Sequence, residues 1–520
     1  MPERLTSSDV SSFYVEDSTT PMHVGSVTIF QPSENGFDYD RLVTLISNRI
    51  ALAPRFRQRV RWIPGNLANP VWVDDESFDI TYHVRRSALP SPGTEAQLRE
   101  LVARIMSRSL DRTRPLWELY LVEGLEGGRF ALLGKTHHAM IDSSEAVDIA
   151  QVILDVEPDH KELVTDEWAP LREPTGVELM VNAVSDFVRS PTEAVDHVRF
   201  GISDVNKSVM NLGKNMFGIA SAAVTAARAT TTSPLNVEIG KQRRYGMAHL
   251  TLDELKEIRR DKGGTVNDVV LTIIAGALRS WLLTRGESVG VRTVVRAMVP
   301  VSVQVDAEVS GAVSPAGVAE FLIDLPVGEP DPVVRLQRIS FDMAQHKESS
   351  RMLGAEAIMA AAEFAPPTLH SMGARLGSGI GQKVFNLMIT NVPGPQQPLY
   401  LNGSEMISSY PVVPLVKNQA VSIGLTSYNG GVYFGLNSDR DAMPDIEVLA
   451  QCITDAADEL RNYAKPIRRA NPSKVAERHA ASRQRKSAAK KTTSSSPAKK
   501  TVAKKAPVKK TAAKKPATKK

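Results

Sequence analysis

Apolar residues along this chain recur at two alternating periods, strand-like in some blocks and helical in others. The run "VGSVTIF" after His23 alternates as a half-buried strand does, whereas Leu42, Leu45 and Ile46 fall together on one side of a helix. "TEAQLRELVARIMSRSL" opens with Thr94 and Gln97 at the spacing of a capping box and collects Leu98, Leu101, Val102 and Ile105 on one face, which predicts a helix. "LWELYLVE", the glycine turn "GLEGG" and "RFALLGKT" predict a β-hairpin that runs directly into His137 and His138. Ala146, Ile149, Ala150 and Ile153 then supply a helical stripe, so the two histidines stand where a strand gives way to a helix.

Between about Glu157 and Gly240 the pattern weakens into a proline-interrupted, small-residue stretch, which reads as a crossover between halves. Periodicity then returns. In "TLDELKEIRRDKGGTVNDVVLTIIAGALRSWL", Val270, Ile274, Ala277 and Trp281 share a helix face, and "TVVRAMVPVSV" follows as a strand. "QAVSIGLTSY" pairs naturally with "VYFGLNS" across Asn429 and Gly430. Both halves therefore mix strands and helices, and 520 residues exceed what one hydrophobic core usually serves. The expected class is α/β (α+β), divided into 1–155, a crossover over 156–240, a second domain over 241–464, and a tail over 465–520.

Charge separates the tail from the rest. From Lys465 onward there are 20 Lys and Arg against one acid, Glu477, which leaves 43 basic and 57 acidic residues before it. Lysine pairs begin at 499, 504, 509, 514 and 519 among Ala, Pro and Thr, with no aromatic residue to bury, so the tail is expected to be disordered. One cysteine, Cys452, rules out an internal disulfide and lies on the apolar side of a predicted helix, where a free thiol acts as a small hydrophobe. The opening "MPERLTSSDV" has no apolar signal core, and no run reaches the ~18 uncharged apolar residues of a membrane span. The expected location is cytoplasmic, with peripheral contact to the inner membrane face or to lipid bodies.

"GKTHHAMIDSSEA" sets His137, His138 and Asp142 as HHxxxD at the strand end. A histidine can take a hydroxyl proton near neutral pH, because its ordinary pKa of about 6.5 lies close to working conditions. Against a thioester, a good leaving group, base assistance and oxyanion stabilisation suffice without an acyl-enzyme. Two other readings stand beside this one: surface histidines without a role, and a metal pair. The metal pair fits less well, since strand neighbours point to opposite faces. That alternation also lets only one histidine face a site squarely.

HHxxxD resembles the HHxxxDG signature of thioester-dependent acyltransferases, and its surroundings resemble the bacterial wax ester synthase/acyl-CoA:diacylglycerol acyltransferase family. The further blocks are "LTSSDVSSFYVED" with "PMHVG", "PRFRQRV", "LDRTRPLWELYLVEGL", "TVNDVVL", "MVPVS" and "NLMITNVPGP", in family order from Leu5 to Tyr463. The resemblance implies two chloramphenicol-acetyltransferase-like sandwich domains with a channel between them. It also implies His138 as general base, with acyl-CoA and a diacylglycerol or long-chain alcohol as substrates, and no cofactor. Pro115, Leu116 and Trp117 match the PLW element, and Asn267 with Asp268 the ND element. Locally, Trp117 is expected to pack the sheet and Asn267 to cap the following helix. Ser143 replaces the signature's terminal glycine, and a serine there can cap a helix instead. A competing reading is a catalytically weak lipid- or nucleic-acid-binding protein on the same scaffold. The tail's expected partner is an anionic membrane or lipid-droplet surface, with nucleic acid as the alternative.

Overall fold

A computed structural model describes residues 2–34, 36–66, 68–141, 149–158, 168–181, 233–303, 317–352 and 385–463. Asp142, Ser143, Ala146, most of the 156–240 crossover and the 465–520 tail lie outside the described residues. The first half contributes strands β1 (His23–Gln31), β2 (Gln58–Arg61), β3 (Val71–Asp74), β4 (Val84–Ala88), β5 (Trp117–Glu123) and β6 (Phe130–His137). The second contributes β7 (Arg243–Thr251), β8 (Val295–Val303), β9 (Gly317–Leu325), β10 (Leu387–Pro393), β11 (Tyr400–Leu401), β12 (Ser404–Val412), β13 (Val421–Tyr428) and β14 (Gly431–Asp439).

Two six-stranded sheets result, ordered β11-β12-β1-β6-β5-β4 and β7-β14-β13-β10-β8-β9, with β2 and β3 forming a separate ribbon. A division of the chain at residue 240 misses one feature. The hairpin β11–β12 belongs to the second half in sequence but completes the first sheet, where β12 pairs antiparallel with β1. Next to this crossing the two sheets approach closely: a Cβ on Gly435 would sit 1.8 Å from the Pro411 carbonyl oxygen, so only glycine fits. The Tyr245 hydroxyl reaches across to donate to the same carbonyl at 2.9 Å.

Local sequence chemistry accounts for the main elements. Thr94 and Gln97 do form a capping box on helix Glu95–Met106. That helix buries Leu98 and Val102 in a core shared with Val27, Leu133 and Tyr245, which places it between the first sheet and β7. The β13–β14 turn has φ of 42° at Asn429 and 79° at Gly430, the left-handed pair that a two-residue hairpin of this twist requires. Helix Val266–Thr284 is long and apolar enough to cross a membrane by length and composition, yet 72 % of its apolar stretch is buried within the protein. Val270, Ile274, Ala277 and Trp281 lie in the second half's core, where the Trp281 indole N–H donates to Asp445 at 3.0 Å. Cys452 is buried in the same core, and burial, reinforced by Asp455 and Asp445, raises its thiol pKa.

Candidate active site

Strand β6 ends on His137, and His138 opens a 3₁₀ turn, His138–Met140. Three backbone bonds fix this handover. The His137 N–H donates to the Leu116 carbonyl at 2.9 Å, the His138 N–H to the Met22 carbonyl at 2.9 Å, and the Ile141 N–H to the His138 carbonyl at 3.0 Å. The PLW block and the "PMHVG" block thus hold the histidine pair from two sides.

The two histidines have different surroundings. His137 is 1 % exposed, stacked on Phe13 at 4.3 Å, while His138 is half-buried. The Ala139 N–H donates to His137 Nδ1 at 3.1 Å, so that nitrogen carries the lone pair and the proton of the neutral ring sits on Nε2. Nε2 lies 3.3 Å from Glu16 Oε2, an acceptor. Both ring nitrogens of His137 are therefore engaged by the protein itself. Burial lowers the His137 pKa and the Glu16 carboxylate opposes that, the net direction being downward. Burial alone would raise the Glu16 pKa, but the hydrogen bond from His137, the charge His137 carries once protonated in acid, and the Arg112 charge outweigh it and bring it to about 2. His23, opposite His137 in the β1–β6 register, is also held neutral: burial and then the Lys135 charge push its pKa well below the usual value.

The end of the strand, rather than alternation along it, separates the roles of the pair. His138 has already left β6, so its direction is set by the turn. Asn267 also differs from expectation. Thr265 is the cap of helix Val266–Thr284, with Asp268 as its capping-box partner, and Asn267 instead accepts from the Asn391 side chain at 3.1 Å. This bond joins the "TVNDVVL" and "NLMITNVPGP" blocks. Asp268 also accepts from Ser340 at 3.1 Å. Pro115, Leu116 and Trp117 are all buried, and the Trp117 indole donates to the Phe56 carbonyl at 2.8 Å. Residues that the sequence reading passed over, Phe13, Glu16 and Arg112, lie in the quoted family blocks, but no local pattern there distinguished them from surface or core positions.

A cleft of about 90 Å³ adjoins the turn, lined by Thr136, Gly134 and Leu132 of β6, Ser26 and Thr28 of β1, and Ile149 and Ile153 of the following helix. Ile141, three residues past His138, is 41 % exposed and also lines this cleft. A hollow of about 260 Å³ among His249, Glu254, Asp458 and Arg461 is larger but shares no residue with the turn.

Residues 5–270 match the profile described as "Wax ester synthase/diacylglycerol acyltransferase catalytic domain", and residues 317–461 match "WS/DGAT C-terminal domain". The chain belongs to the wax ester synthase/diacylglycerol acyltransferase family, and is an O-acyltransferase. A Mycobacterium tuberculosis protein named "Probable diacyglycerol O-acyltransferase tgs2" is 35 % identical over 453 residues, covering 85 % of this chain and 95 % of that one. Another from that organism, "Probable diacyglycerol O-acyltransferase tgs3", is 41 % identical over 263 residues, covering 50 % of this chain and 96 % of that one. Among solved structures, the wax ester synthase/diacylglycerol acyltransferase of Marinobacter aquaeolei VT8 superposes with a TM-score of 0.63 at 28 % identity, covering 88 % of this chain and 98 % of that one. The starter condensation domain of rhizomide synthetase RzmA shares the fold, with a TM-score of 0.52 at 12 % identity, covering 90 % and 97 %. The two-domain condensation-type fold of this acyltransferase family is thus the fold of this chain.

Proposed function

We propose that this acyltransferase moves an acyl group from acyl-CoA to the free hydroxyl of a diacylglycerol, giving triacylglycerol and CoA, with a long-chain alcohol as the variant acceptor. The observation that carries the mechanism is the half-buried His138, set on a hydrogen-bonded turn whose flanking residues Thr136 and Ile141 line an apolar cleft. His138 takes the acceptor's hydroxyl proton as the oxygen attacks the thioester carbonyl. The tetrahedral intermediate then expels the CoA thiolate, and the imidazolium returns the proton to sulfur. Acyl-CoA is consumed as a substrate, and no cofactor is required. Asp142 is proposed to act with His138 in the transfer. Incubation of the purified protein with radiolabelled oleoyl-CoA and either dioleoylglycerol or hexadecanol should yield labelled triacylglycerol, with less wax ester. Absence of both products from folded protein would sink this reading in favour of a binding protein on the same scaffold.

The cleft is assigned to the first stretch of the acyl chain. It is small against the ~300–1,000 Å³ of ordinary ligand pockets, so only part of the chain would occupy it. Gly134 lines it, and a Cβ there would meet only Ser26 Oγ, at 3.9 Å. Gly134→Val therefore fits the strand while filling the cleft. The expected outcome is a shift of preference from oleoyl-CoA toward octanoyl- or decanoyl-CoA by about 10-fold in kcat/KM, the scale at which a hydrophobic pocket discriminates a few methylenes. Unchanged chain-length preference would place the acyl chain elsewhere.

The basic tail is proposed to tether the enzyme peripherally to anionic lipid, at the inner membrane face or on lipid bodies. Each engaged lysine near such a surface contributes about 1 kcal/mol, and the acidic body would otherwise be repelled. Residues 1–463 form a compact unit by themselves, and Tyr463 is anchored by its hydroxyl on Asp331 at 2.9 Å, so a stop after Tyr463 should leave the catalytic body intact. That truncation is expected to keep turnover on detergent-dispersed substrate and to lose binding to phosphatidylserine vesicles, with full-length binding weakening as salt rises. Equal vesicle binding by both forms would remove the tether. Retention of the full-length form by DNA alone would reassign the tail to nucleic acid.

A further inference from the structure

The surroundings of His137 form a closed circuit whose hub is Glu16, the residue at the end of helix Ser7–Val15. Its side chain is 6 % exposed, and it meets three groups. Oε2 faces His137 Nε2 and accepts from Arg112, while Oε1 accepts from the Met22 N–H at 3.3 Å. The Met22 carbonyl in turn accepts from the His138 N–H, and His137 Nδ1 accepts from the Ala139 N–H. One carboxylate thus reaches the residue on either side of the 3₁₀ turn's first peptide by two routes, through a ring and through a backbone. His23 Nε2 stands 3.6 Å from Oε1 but accepts from the Leu110 N–H at 3.3 Å, so it donates nothing to Glu16.

We propose that Glu16 is a positioning residue for the acyl transfer: by holding the proton of His137 on Nε2, it keeps Nδ1 available to the Ala139 N–H and so fixes the turn that presents His138. The proposal rests on the reading of His138 as base. If the proton moved to Nδ1, it would point at the Ala139 N–H, two donors would face each other, and the turn would lose the bond that shapes it. Phe13, stacked on His137 at 16° between ring planes and itself covered by Arg112 at 5.5 Å, prevents the ring from rotating out of this arrangement. No atom of Glu16 needs to touch substrate for this effect. Misplacement of a catalytic group by about 1 Å costs on the order of 100-fold in rate.

The test compares Glu16→Leu, Glu16→Gln and His138→Ala in the full chain, with kcat and KM for oleoyl-CoA and with ¹⁵N-histidine NMR, the His137 signals being assigned by their loss in His137→Gln. In the wild type, His137 should appear as the Nε2–H tautomer. Glu16→Leu should lower kcat by roughly 10–100-fold, leave KM within about 2-fold, and mix the His137 tautomers. Glu16→Gln, whose amide oxygen still accepts from Nε2 while its NH2 gives up the bond from the Met22 N–H, should retain the tautomer and, with the ring route intact, recover kcat to within about 5-fold of wild type. Wild-type kcat or an unmixed tautomer in Glu16→Leu overturns the proposal, as does a Glu16→Gln protein with the wild-type tautomer but the turnover expected for Glu16→Leu. If Glu16→Leu does not fold, the paired tautomer and kcat values of Glu16→Gln decide alone. Full turnover in His138→Ala would instead remove the base, a separate failure that the NMR readout distinguishes.

Discussion

His138→Ala should lose about 10²–10⁴-fold in kcat for acyl transfer while unfolding at close to the wild-type temperature. The two halves of that expectation come from different observations. The rate loss follows from removing the proposed base on the turn that adjoins the cleft, and the preserved stability follows from the half-buried setting of the side chain, whose backbone bonds to Met22 and Ile141 survive the substitution. His137→Ala should behave differently. It strips the buried Ala139 N–H of its acceptor, an unsatisfied donor that costs about 1–3 kcal/mol, and takes from Glu16 one of its three partners. Turnover and thermal unfolding measured together on both variants separate a base from a scaffold residue. Near-normal turnover in well-folded His138→Ala protein would end the proposed mechanism.

Trp117→Ala should destabilise the protein by about 3–5 kcal/mol, the range for truncating a large buried aromatic side chain. Trp117 is 1 % exposed, stacks on His83 at 4.7 Å and meets Phe56 edge-on at 5.3 Å. Its indole also satisfies the Phe56 carbonyl, which the truncation would leave buried and unpaired. His83 adds a second tie, bonding the Trp117 carbonyl at 2.8 Å. Because these contacts are all with the core, kcat per folded molecule should fall only a few-fold. Urea unfolding alongside initial rates at low temperature checks both parts. Undiminished stability with abolished turnover would show that the PLW element acts on the chemistry directly.

Much of this architecture was legible along the chain because it is local. The capping box of Thr94 and Gln97, the strand alternation of "VGSVTIF" and the Asn429–Gly430 turn each depend on residues a few positions apart, where spacing determines which side chains meet. The histidine pair at the end of a strand was readable for the same reason. The Thr265–Asp268 capping box is equally local, so Asn267 was the wrong choice of cap, whereas its turn toward Asn391, 124 residues away, leaves no trace in spacing.

By itself the sequence determined the mixed class, the strand-to-helix setting of His137 and His138, the charge contrast between body and tail, and, through its ordered blocks, the family. Only the tertiary structure decided that β11 and β12 cross back to complete the sheet of the first half, and that Glu16, Arg112, Met22 and Leu116 converge on the two histidines. The physical reason is the range of the interactions. Periodicity records how a segment partitions between water and the interior, which any buried neighbour satisfies equally well. The choice of neighbour is made by long-range pairing: β1 lies between β6 and β12, from opposite halves of the chain, and this brings the Met22 carbonyl to the His138 N–H. A glutamate's sequence context is the same whether its carboxylate faces solvent or a buried imidazole, so the hub of the site became visible only once the chain had folded around it.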